Sequence, residues 1–279
     1  MELITTHSST LETQSEKKQD YVAHGKRSNG DLWYLVCDGH GGNKVIEHIR
    51  QLDLCNIMEN SNPATLIAES VDKLGDTFNS GSTMTIAIVT PSSIRCMWCG
   101  DSTLKIWGDG REIFSTKNHD CTHTEEVKRL QDKNIETNEG WSIELIDDKA
   151  LTMVKKQYYL FDKITNDGTK YLYDKLNMTS SLGHNGKTGT IIEEDIISLR
   201  PGVNYTLVAA TDGFWDMICK DDNINDMVSA SELVEFSIKR WSQEWCYKFP
   251  GHEDQYSNIG NSRDDIGVAT WRGSANSVE

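Results

Sequence analysis

The sequence predicts an α+β protein with antiparallel sheets. Two helical segments are followed by a run of short strands and then by mixed elements, without the regular strand-helix alternation of a doubly wound parallel sheet. Only four prolines are spread over the 279 residues, and no repeat or proline-rich linker divides them. A single domain covering residues 1–279 is therefore the simplest expectation.

The predicted strands are short apolar runs rich in β-branched and aromatic residues. They cover residues 32–38, 83–90, 94–100, 103–108, 205–212 and 265–271. Several of them end in Asp-Gly or Gly-Asp. The end of a strand is a rigid position for a carboxylate, so these ends are candidate places for ligand-binding side chains.

Four helices are predicted between the strands, at residues 43–59, 63–78, 123–133 and 230–247. Asn62 and Pro63 provide an N-cap and a first-turn proline for the second helix. Thr122 and Ser229 are each followed three residues later by Glu, which is the spacing of a capping box. Apolar residues at helical spacing follow these starts: Ile67, Val71, Leu74 and Phe78 in the second helix, and Val234, Ile238, Trp241 and Trp245 in the fourth.

One segment has weaker patterning than the rest of the chain. Between about residue 131 and residue 180, polar clusters such as QDKNIETNEG and TNDGTK interrupt the apolar runs. Long irregular segments inside a domain are often functional loops. This segment is predicted to be an insertion or a mobile flap within the single domain.

Composition excludes some classes of partner. The formal net charge of −15 argues against nucleic acid, because binding to a phosphate backbone needs clustered cations. No signal-peptide pattern and no apolar run approaching ~18 residues is present, so no membrane association is expected. The seven cysteines are odd in number and scattered, unlike a disulfide framework. These features predict a soluble, cytoplasmic protein.

Acidic residues recur near glycine at the predicted strand ends. They are Asp38 in CDGHGG, Asp101 in CGDST, Asp212 and Asp216 in TDGFWD, and Asp264 in SRDDIGV. Mg²⁺ and Mn²⁺ prefer such oxygen ligands. Each Asp taken alone is more typical of a turn, and so is His40. Together they indicate a metal site, and an imidazole two residues from a ligand is well placed for proton transfer.

These motifs resemble those of the metal-dependent type 2C protein serine/threonine phosphatases, in order along nearly the whole chain. The matching segments are 17–25, 35–42, 80–89, 98–107, 118–130, 178–186, 209–218 and 262–270. The resemblance implies a four-layer α-β-β-α sandwich, in which helices flank two antiparallel sheets and a metal cleft lies at one end. It also implies that a water bridging two Mn²⁺ or Mg²⁺ ions attacks the phosphate ester of a phosphorylated protein. The protein is expected to be a monomer.

The resemblance assigns roles to the first set of site residues. Asp38 matches the carboxylate that bridges the two ions, and Gly39 matches the residue whose carbonyl binds one of them. Asp212 and Asp264 match ligands of the other ion.

Four further positions also match the family. Asp20 matches an acid that orients metal-bound water, and Asp101 and Asp216 match positions that hold a third, weaker ion in many members. His40 matches the histidine that protonates the departing seryl or threonyl oxygen. Catalysis is therefore assigned to His40 and Asp38.

The chain departs from the family pattern at several positions. Ser15 stands where an arginine usually clamps the substrate phosphate, and Lys17 and Lys18 are candidate substitutes, although a lysine does not reproduce a bidentate guanidinium. His184 stands where many members have an aspartate, and Asp265 where asparagine is common.

Two alternatives to a protein phosphatase remain open. The missing arginine also fits an inactive pseudophosphatase that acts as a binding scaffold, or a phosphatase for a small phosphorylated molecule. Cys37 adjoins Asp38 but lacks the CxxxxxR loop of a cysteine phosphatase, so it is interpreted as a strand residue rather than a nucleophile.

Overall fold

A computed structural model of the protein describes residues 2–121, 123–132, 137–164, 170–176, 178–249, 251–260 and 263–276. The predicted α+β class with antiparallel sheets is confirmed. The strands are β1 (Glu2–Thr13), β2 (Asp20–Lys26), β3 (Leu32–Gly41), β4 (Ser80–Ser82), β5 (Met84–Val89), β6 (Ser93–Cys99), β7 (Thr103–Gly108), β8 (Arg111–Ser115), β9 (Thr137–Leu145), β10 (Ala150–Ile164), β11 (Lys170–Leu176), β12 (Leu182–Gly183), β13 (Glu193–Ser198), β14 (Asn204–Ala210), β15 (Glu244–Lys248), β16 (Gln255–Asn258) and β17 (Ile266–Asn276). The helices are α1 (Lys44–Gln51), α2 (Leu54–Met58), α3 (Pro63–Asp72), α4 (Thr124–Asp132), α5 (Asp212–Trp215) and α6 (Ala230–Ser242).

Two large sheets form the centre of the molecule. The first has five strands in the order β1-β17-β14-β7-β8, and the second has the order β12-β4-β3-β5-β6-β13 with β2 paired to β3. Every pairing within these two sheets is antiparallel. All six predicted strands lie in them.

Three apolar clusters separate four layers. One cluster joins β3 and β5 to α1, α2 and α3, a second fills the space between the two sheets, and a third joins β14 and β17 to α5 and α6. Side chains alternate between faces of a strand, and in β14 Leu207 lies between the sheets whereas Val208 faces α6. The four-layer sandwich implied by the resemblance is therefore confirmed.

The predicted helices on the second sheet are shorter in the structure. The helix predicted at 43–59 divides into α1 and α2, because Leu52 adopts an extended conformation and the Asp53 side chain caps α2 by accepting from the Asn56 N–H at 3.2 Å. The helix predicted at 63–78 begins at Pro63, as expected, although the side chain of Asn62 makes no capping hydrogen bond, and it ends at Asp72.

The helix predicted at 230–247 is also too long. Its capping box between Ser229 and Glu232 is confirmed, but α6 ends at Ser242, where the extended backbone of Gln243 turns the chain into β15. Trp245 therefore lies in a strand, although it is fully buried in the same cluster as Trp241. In the helix predicted at 123–133, residue 133 lies outside the described residues, and so does the predicted cap Thr122.

A third sheet, also of five strands, accounts for much of the weakly patterned segment. Its order is β11-β10-β15-β16 with β9 on β10, and all of its pairs are antiparallel except β10–β15, which is parallel. The fold prediction did not include this sheet. Residues 133–136, 165–169 and 177 of the segment lie outside the described residues, and its interpretation as an insertion or flap stays a prediction.

The helices of the described residues are all unsuited to crossing a bilayer, since none combines the necessary length and apolar character.

Candidate metal site

The second sheet brings the first two carboxylates together. In the antiparallel pair β2–β3, Asp20 is directly opposite Asp38. Thr83 fixes the backbone of Asp38 on the other side, because its Oγ1 accepts from the Asp38 N–H at 2.9 Å and its own N–H donates to the Asp38 carbonyl at 2.8 Å. These hydrogen bonds fix the backbone of Asp38 between the part of β3 that pairs with β5 and the part that pairs with β4.

The first sheet contributes Asp212, which begins α5 just after β14. The side chains of Asp38 and Asp212 share a hydrogen bond. Burial, followed by the charge of Asp212, raises the pKa of Asp38 well above its ordinary value. Asp38 and Asp212 therefore join the ends of the two sheets.

Asp20 is tied to the first sheet by a buried threonine. The Thr211 hydroxyl donates to Asp20 Oδ2 at 2.7 Å and accepts from the Gly267 N–H at 2.9 Å. Burial is nevertheless the largest influence on Asp20 and raises its pKa well above the ordinary value, with further repulsion from Asp212. This network connects β2, β14 and β17 behind the carboxylates.

Two more acids lie within electrostatic range of Asp212. Burial and the charge of Asp212 raise the pKa of Asp101 to about 8, and the same two causes raise the pKa of Asp216 to about 7. Burial also raises the pKa of Asp212, with repulsion from Asp264. Each of these carboxylates thus disfavours the ionisation of its neighbours.

Asp264 is held by a lysine from a distant part of the sequence. The Lys17 ammonium contacts Asp264 Oδ1 at 2.8 Å and Oδ2 at 2.6 Å. Burial lowers the pKa of Lys17, but the hydrogen bond and charge of Asp264 outweigh it and raise the pKa above its ordinary value. Asp38 and Asp212 add smaller attractions, so Lys17 provides a positive charge beside the acids.

The neighbouring Asp265 holds the loop that carries Lys17. Its carboxylate accepts from the backbone N–H of Ser15 and from that of Gln19, the latter at 2.5 Å. Although burial raises the pKa of Asp265, these hydrogen bonds outweigh it and lower the pKa below its ordinary value. Lys18, in the same loop, has a backbone φ of +56°. Within the described residues, the Lys18 ammonium has no hydrogen bond or ion pair with the site acids.

His40 lies beyond Asp38 in β3 and contacts a second histidine. His40 Nδ1 is 2.9 Å from His184 Nε2, and the two ring planes differ by 16°. Burial lowers the pKa of His40 well below its ordinary value, and a positive charge on His184 would lower it further. Gly39, between Asp38 and His40, donates its N–H to the Gln19 carbonyl at 2.9 Å.

The donor chemistry of this region fits a hard divalent cation. Its buried acids supply only oxygen ligands, and their mutual repulsion is the kind that a bound cation would relieve. Among the described residues, however, no three His, Cys, Asp or Glu side chains are arranged closely enough to hold an ion as they stand. Asp38 and Asp212 meet directly, whereas Asp264 is engaged by Lys17.

The side chain of Cys37 does not point toward the acids of the candidate site. Its side chain is fully buried in the cluster beneath α1 and α3, and burial raises the pKa of its thiol far above the ordinary value.

Four residues of the region were not predicted as site residues. They are Thr83, Thr211, His184 and Asp265. In the sequence, His184 and Asp265 stood out only as departures from the family pattern. The two threonines lie in the motifs SGST and AATD, but nothing in the sequence indicated that they contact the acids. Their contacts depend on strand register, which periodicity does not specify.

The fold of this chain is shared with solved protein serine/threonine phosphatases. The S. agalactiae serine/threonine phosphatase has a TM-score of 0.57 and 14% identity, with 95% of this chain and 98% of that chain covered. The Mycobacterium tuberculosis serine/threonine phosphatase has a TM-score of 0.54 and 14% identity, covering 98% of this chain and 100% of that one. At these identities, the likeness concerns the fold alone.

Sequence comparison gives the family. The protein phosphatase 2C family model matches residues 3–145, slightly more than half of the chain, so this chain belongs to the protein phosphatase 2C family. Human protein phosphatase 1B is 25% identical over 236 residues, covering 75% of this chain. The chain spans only 43% of the length of that relative. The predicted resemblance is confirmed.

Proposed function

We propose that this protein is a Mn²⁺- or Mg²⁺-dependent phosphatase that acts on phosphoserine and phosphothreonine in proteins. The observation that carries the proposal is the contact between Asp38 and Asp212 at the meeting point of the two sheets, surrounded by further acids whose pKa values are raised by burial and by one another. Membership of the protein phosphatase 2C family supports it independently.

Asp38, the Gly39 carbonyl, Asp212 and Asp264 would hold two cations in this proposal. Asp20 would orient water, and Asp101 and Asp216 would hold a third ion. When bound, the cations would lower the pKa of a water held between them and neutralise charge on the phosphoryl oxygens.

Two side chains of the protein would then contact the substrate, one at its phosphate and one at its leaving oxygen. Lys17 is the better candidate for the phosphate contact, because its ammonium already lies beside Asp264, whereas Lys18 has no such contact among the described residues. An ammonium that leaves a carboxylate can donate to a phosphate oxygen. His40 would supply the proton that the departing seryl or threonyl oxygen needs.

Hydrolysis of a phosphothreonine peptide tests the proposal. Activity should require Mn²⁺ or Mg²⁺, and Asp38→Asn and Asp212→Asn should each abolish it while the protein stays folded. Each substitution keeps the size of the side chain but removes a carboxylate oxygen. A folded protein that is inert with saturating Mn²⁺, or an Asp38→Asn variant with the full rate, would exclude the enzyme.

A scaffold without catalysis is the second candidate function. It is favoured by Ser15 at the expected arginine position and by the engagement of Asp264 with Lys17. Calorimetric titration with Mn²⁺ separates the two candidates, because the enzyme must bind at least two ions. Comparison of phosphopeptides with small phosphate esters tests the remaining alternative, a small-molecule phosphatase.

The proposal also includes the wider organisation of the protein. It takes residues 1–279 as a single phosphatase domain with an insertion around residues 131–180. It further takes the protein as a cytoplasmic monomer without a membrane or nucleic-acid partner, and the charge of −15 supports the last point. Sedimentation velocity measures the oligomeric state.

A further inference from the structure

Three neighbouring strands bring His40 and His184 together. In the second sheet, His40 of β3 pairs with Gly81 of β4, and Gly81 pairs with Gly183 of β12, one residue before His184. A Cβ atom on Gly81 would lie 2.4 Å from both His40 Cε1 and His184 Nε2. The two rings can therefore meet over β4 only because this position has no side chain.

The hydrogen bonds of the pair have a defined direction. His184 Nδ1 is 2.8 Å from the Phe78 carbonyl oxygen, which can only accept, so this nitrogen carries a hydrogen. In a neutral His184, Nε2 is then an acceptor. His40 Nδ1, 2.9 Å away, must donate to it. His40 Nε2 consequently keeps its lone pair, and within the described part of the chain this buried atom has no hydrogen-bond partner.

The loop that presents His184 is held in an unfavourable conformation. Four consecutive residues have positive φ: Gly183 (83°), His184 (50°), Asn185 (52°) and Gly186 (70°). Such backbone is costly for residues other than glycine and persists only where other contacts fix it. Asn185 provides them, because its Oδ1 accepts from the Thr77 N–H at 2.7 Å and from the Thr77 hydroxyl at 3.1 Å.

We propose that His184 is a positioning residue for His40: it accepts a hydrogen bond from His40 Nδ1 and so directs the proton-transferring nitrogen, Nε2, away from the pair. The inference rests on the proposed function, in which His40 protonates the leaving group. It makes His184 the analogue of the aspartate that orients the histidine of a serine-protease triad, with a neutral imidazole as the acceptor.

The proton then has one route. The attacking water loses one proton to solvent as it forms its new bond to phosphorus, and the bond from phosphorus to the threonyl Oγ breaks and leaves its electron pair on Oγ. His40 first takes up a proton from solvent at Nε2, which makes the ring an imidazolium. It then gives this proton to the departing oxygen and returns to the neutral form with its hydrogen on Nδ1. Throughout this step, His40 Nδ1–H donates to His184, so Nε2 is the only nitrogen of the ring that can deliver the proton.

A spectroscopic experiment tests the hydrogen-bond direction without any activity measurement. Long-range ¹H–¹⁵N NMR of the wild-type protein, recorded without Mn²⁺, distinguishes protonated from unprotonated ring nitrogens. We expect His40 to carry its hydrogen on Nδ1 and His184 to carry its hydrogen on Nδ1. A His40 with its hydrogen on Nε2 would overturn the inference, and this measurement does not depend on how any variant folds.

A kinetic experiment tests the consequence for catalysis. His184→Leu removes the acceptor at similar volume, whereas His184→Gln keeps an oxygen near the position of Nε2. A phosphothreonine peptide needs a proton on its leaving oxygen, but p-nitrophenyl phosphate has a leaving group that departs without one. We expect His184→Leu to lower kcat for the peptide about 10- to 100-fold with little change in KM and to affect p-nitrophenyl phosphate much less. His184→Gln should retain most of the peptide activity.

The same substrates separate failure of this inference from failure of the proposed function. His40→Ala is the reference variant. Like His184→Leu, it should lose more activity on the phosphothreonine peptide than on p-nitrophenyl phosphate. If wild-type protein is inert, or if His40→Ala loses activity equally on both substrates, the proposed function or the role of His40 fails. If His40→Ala loses more activity on the peptide than on p-nitrophenyl phosphate and a folded His184→Leu does not, the positioning role of His184 is excluded.

Discussion

Replacement of Lys17 by methionine should weaken substrate binding and strengthen metal binding. The Lys17 ammonium contacts both oxygens of Asp264, so a cation that uses Asp264 must first displace it. The side chains of Lys17 and Asp264 are 55% and 30% exposed, and an ion pair this exposed contributes about 1 kcal/mol or less. Lys17→Met should therefore lower the apparent Kd for Mn²⁺ by up to about fivefold.

The substrate effect has the opposite sign. A hydrogen bond between an ammonium and a phosphate oxygen contributes about 1.5–3 kcal/mol, so its loss should lower kcat/KM for a phosphothreonine peptide by about 10- to 150-fold. Most of this loss should appear in KM if the contact is already made in the bound substrate. Calorimetric titration with Mn²⁺ and steady-state kinetics at saturating Mn²⁺ measure the two effects separately.

Two variants serve as controls for Lys17→Met. Lys18→Met removes the same charge from the same loop but from a residue without an ion pair to the site acids among those described, so both constants should stay near wild type. Lys17→Arg keeps the charge and should retain substrate binding. The reasoning is refuted if Lys17→Met leaves both the Mn²⁺ affinity and kcat/KM unchanged, or if Lys18→Met has equal effects.

Three further predictions concern the surroundings of the site and the stability of the fold. Thr211→Val leaves Asp20 Oδ2 and the Gly267 N–H without their buried partner and should lower the free energy of unfolding in urea by about 1–3 kcal/mol, whereas Thr211→Ser should lose much less. Gly213→Ala would place a Cβ atom 1.9 Å from the Asp265 carbonyl oxygen, so it should destabilise the protein by about 1–3 kcal/mol or more and weaken Mn²⁺ binding; unchanged melting and titration curves would contradict this. Burial raises the pKa of Glu126, but hydrogen bonds from Arg129 and Thr179 outweigh it and hold the pKa below 4.5. As the pH falls, the Glu126 carboxylate therefore becomes protonated in the unfolded chain before it does so in the folded protein. The stability that Glu126 contributes is present above about pH 4.5 and is lost as the pH falls below it. Glu126→Gln should flatten the fall in the free energy of unfolding between about pH 5 and pH 3, and an unaltered slope would argue against the ion pair.

The sequence patterns predicted the ends of helices and strands less well than their presence. Trp245 continued the apolar spacing of α6, but the chain turns at Gln243 and Trp245 reaches the same cluster from β15. A buried position can be filled from a helix or a strand, and periodicity records only that the side chain is buried. The third sheet escaped prediction for a different reason, because polar clusters interrupt the apolar runs of this segment and apolar residues of its strands such as Trp141 and Ile143 are exposed.

The candidate site was predictable to the extent that its chemistry is carried by short motifs. DGHGG, GDS, DGFWD and the Asp264-Asp265 pair identified five of the acids and His40, because an acid near glycine at a strand end is visible in the sequence alone, whereas Asp20 was assigned only by the family resemblance. The partners of those residues were not predictable. Thr211 and Asp265 became site residues only through hydrogen bonds to Asp20 and to the Ser15–Gln19 loop.

The α+β class, the family and most of the site acids follow from the order of amino acids, because they depend on local composition and on motifs in a fixed order. Which distant groups meet becomes visible only in the folded chain. Lys17 lies 247 residues from Asp264, and His40 lies 144 residues from His184, yet both pairs are in hydrogen-bond contact. Such contacts follow from strand register and from loop conformation, and a shift of one residue in register would turn each side chain to the opposite face.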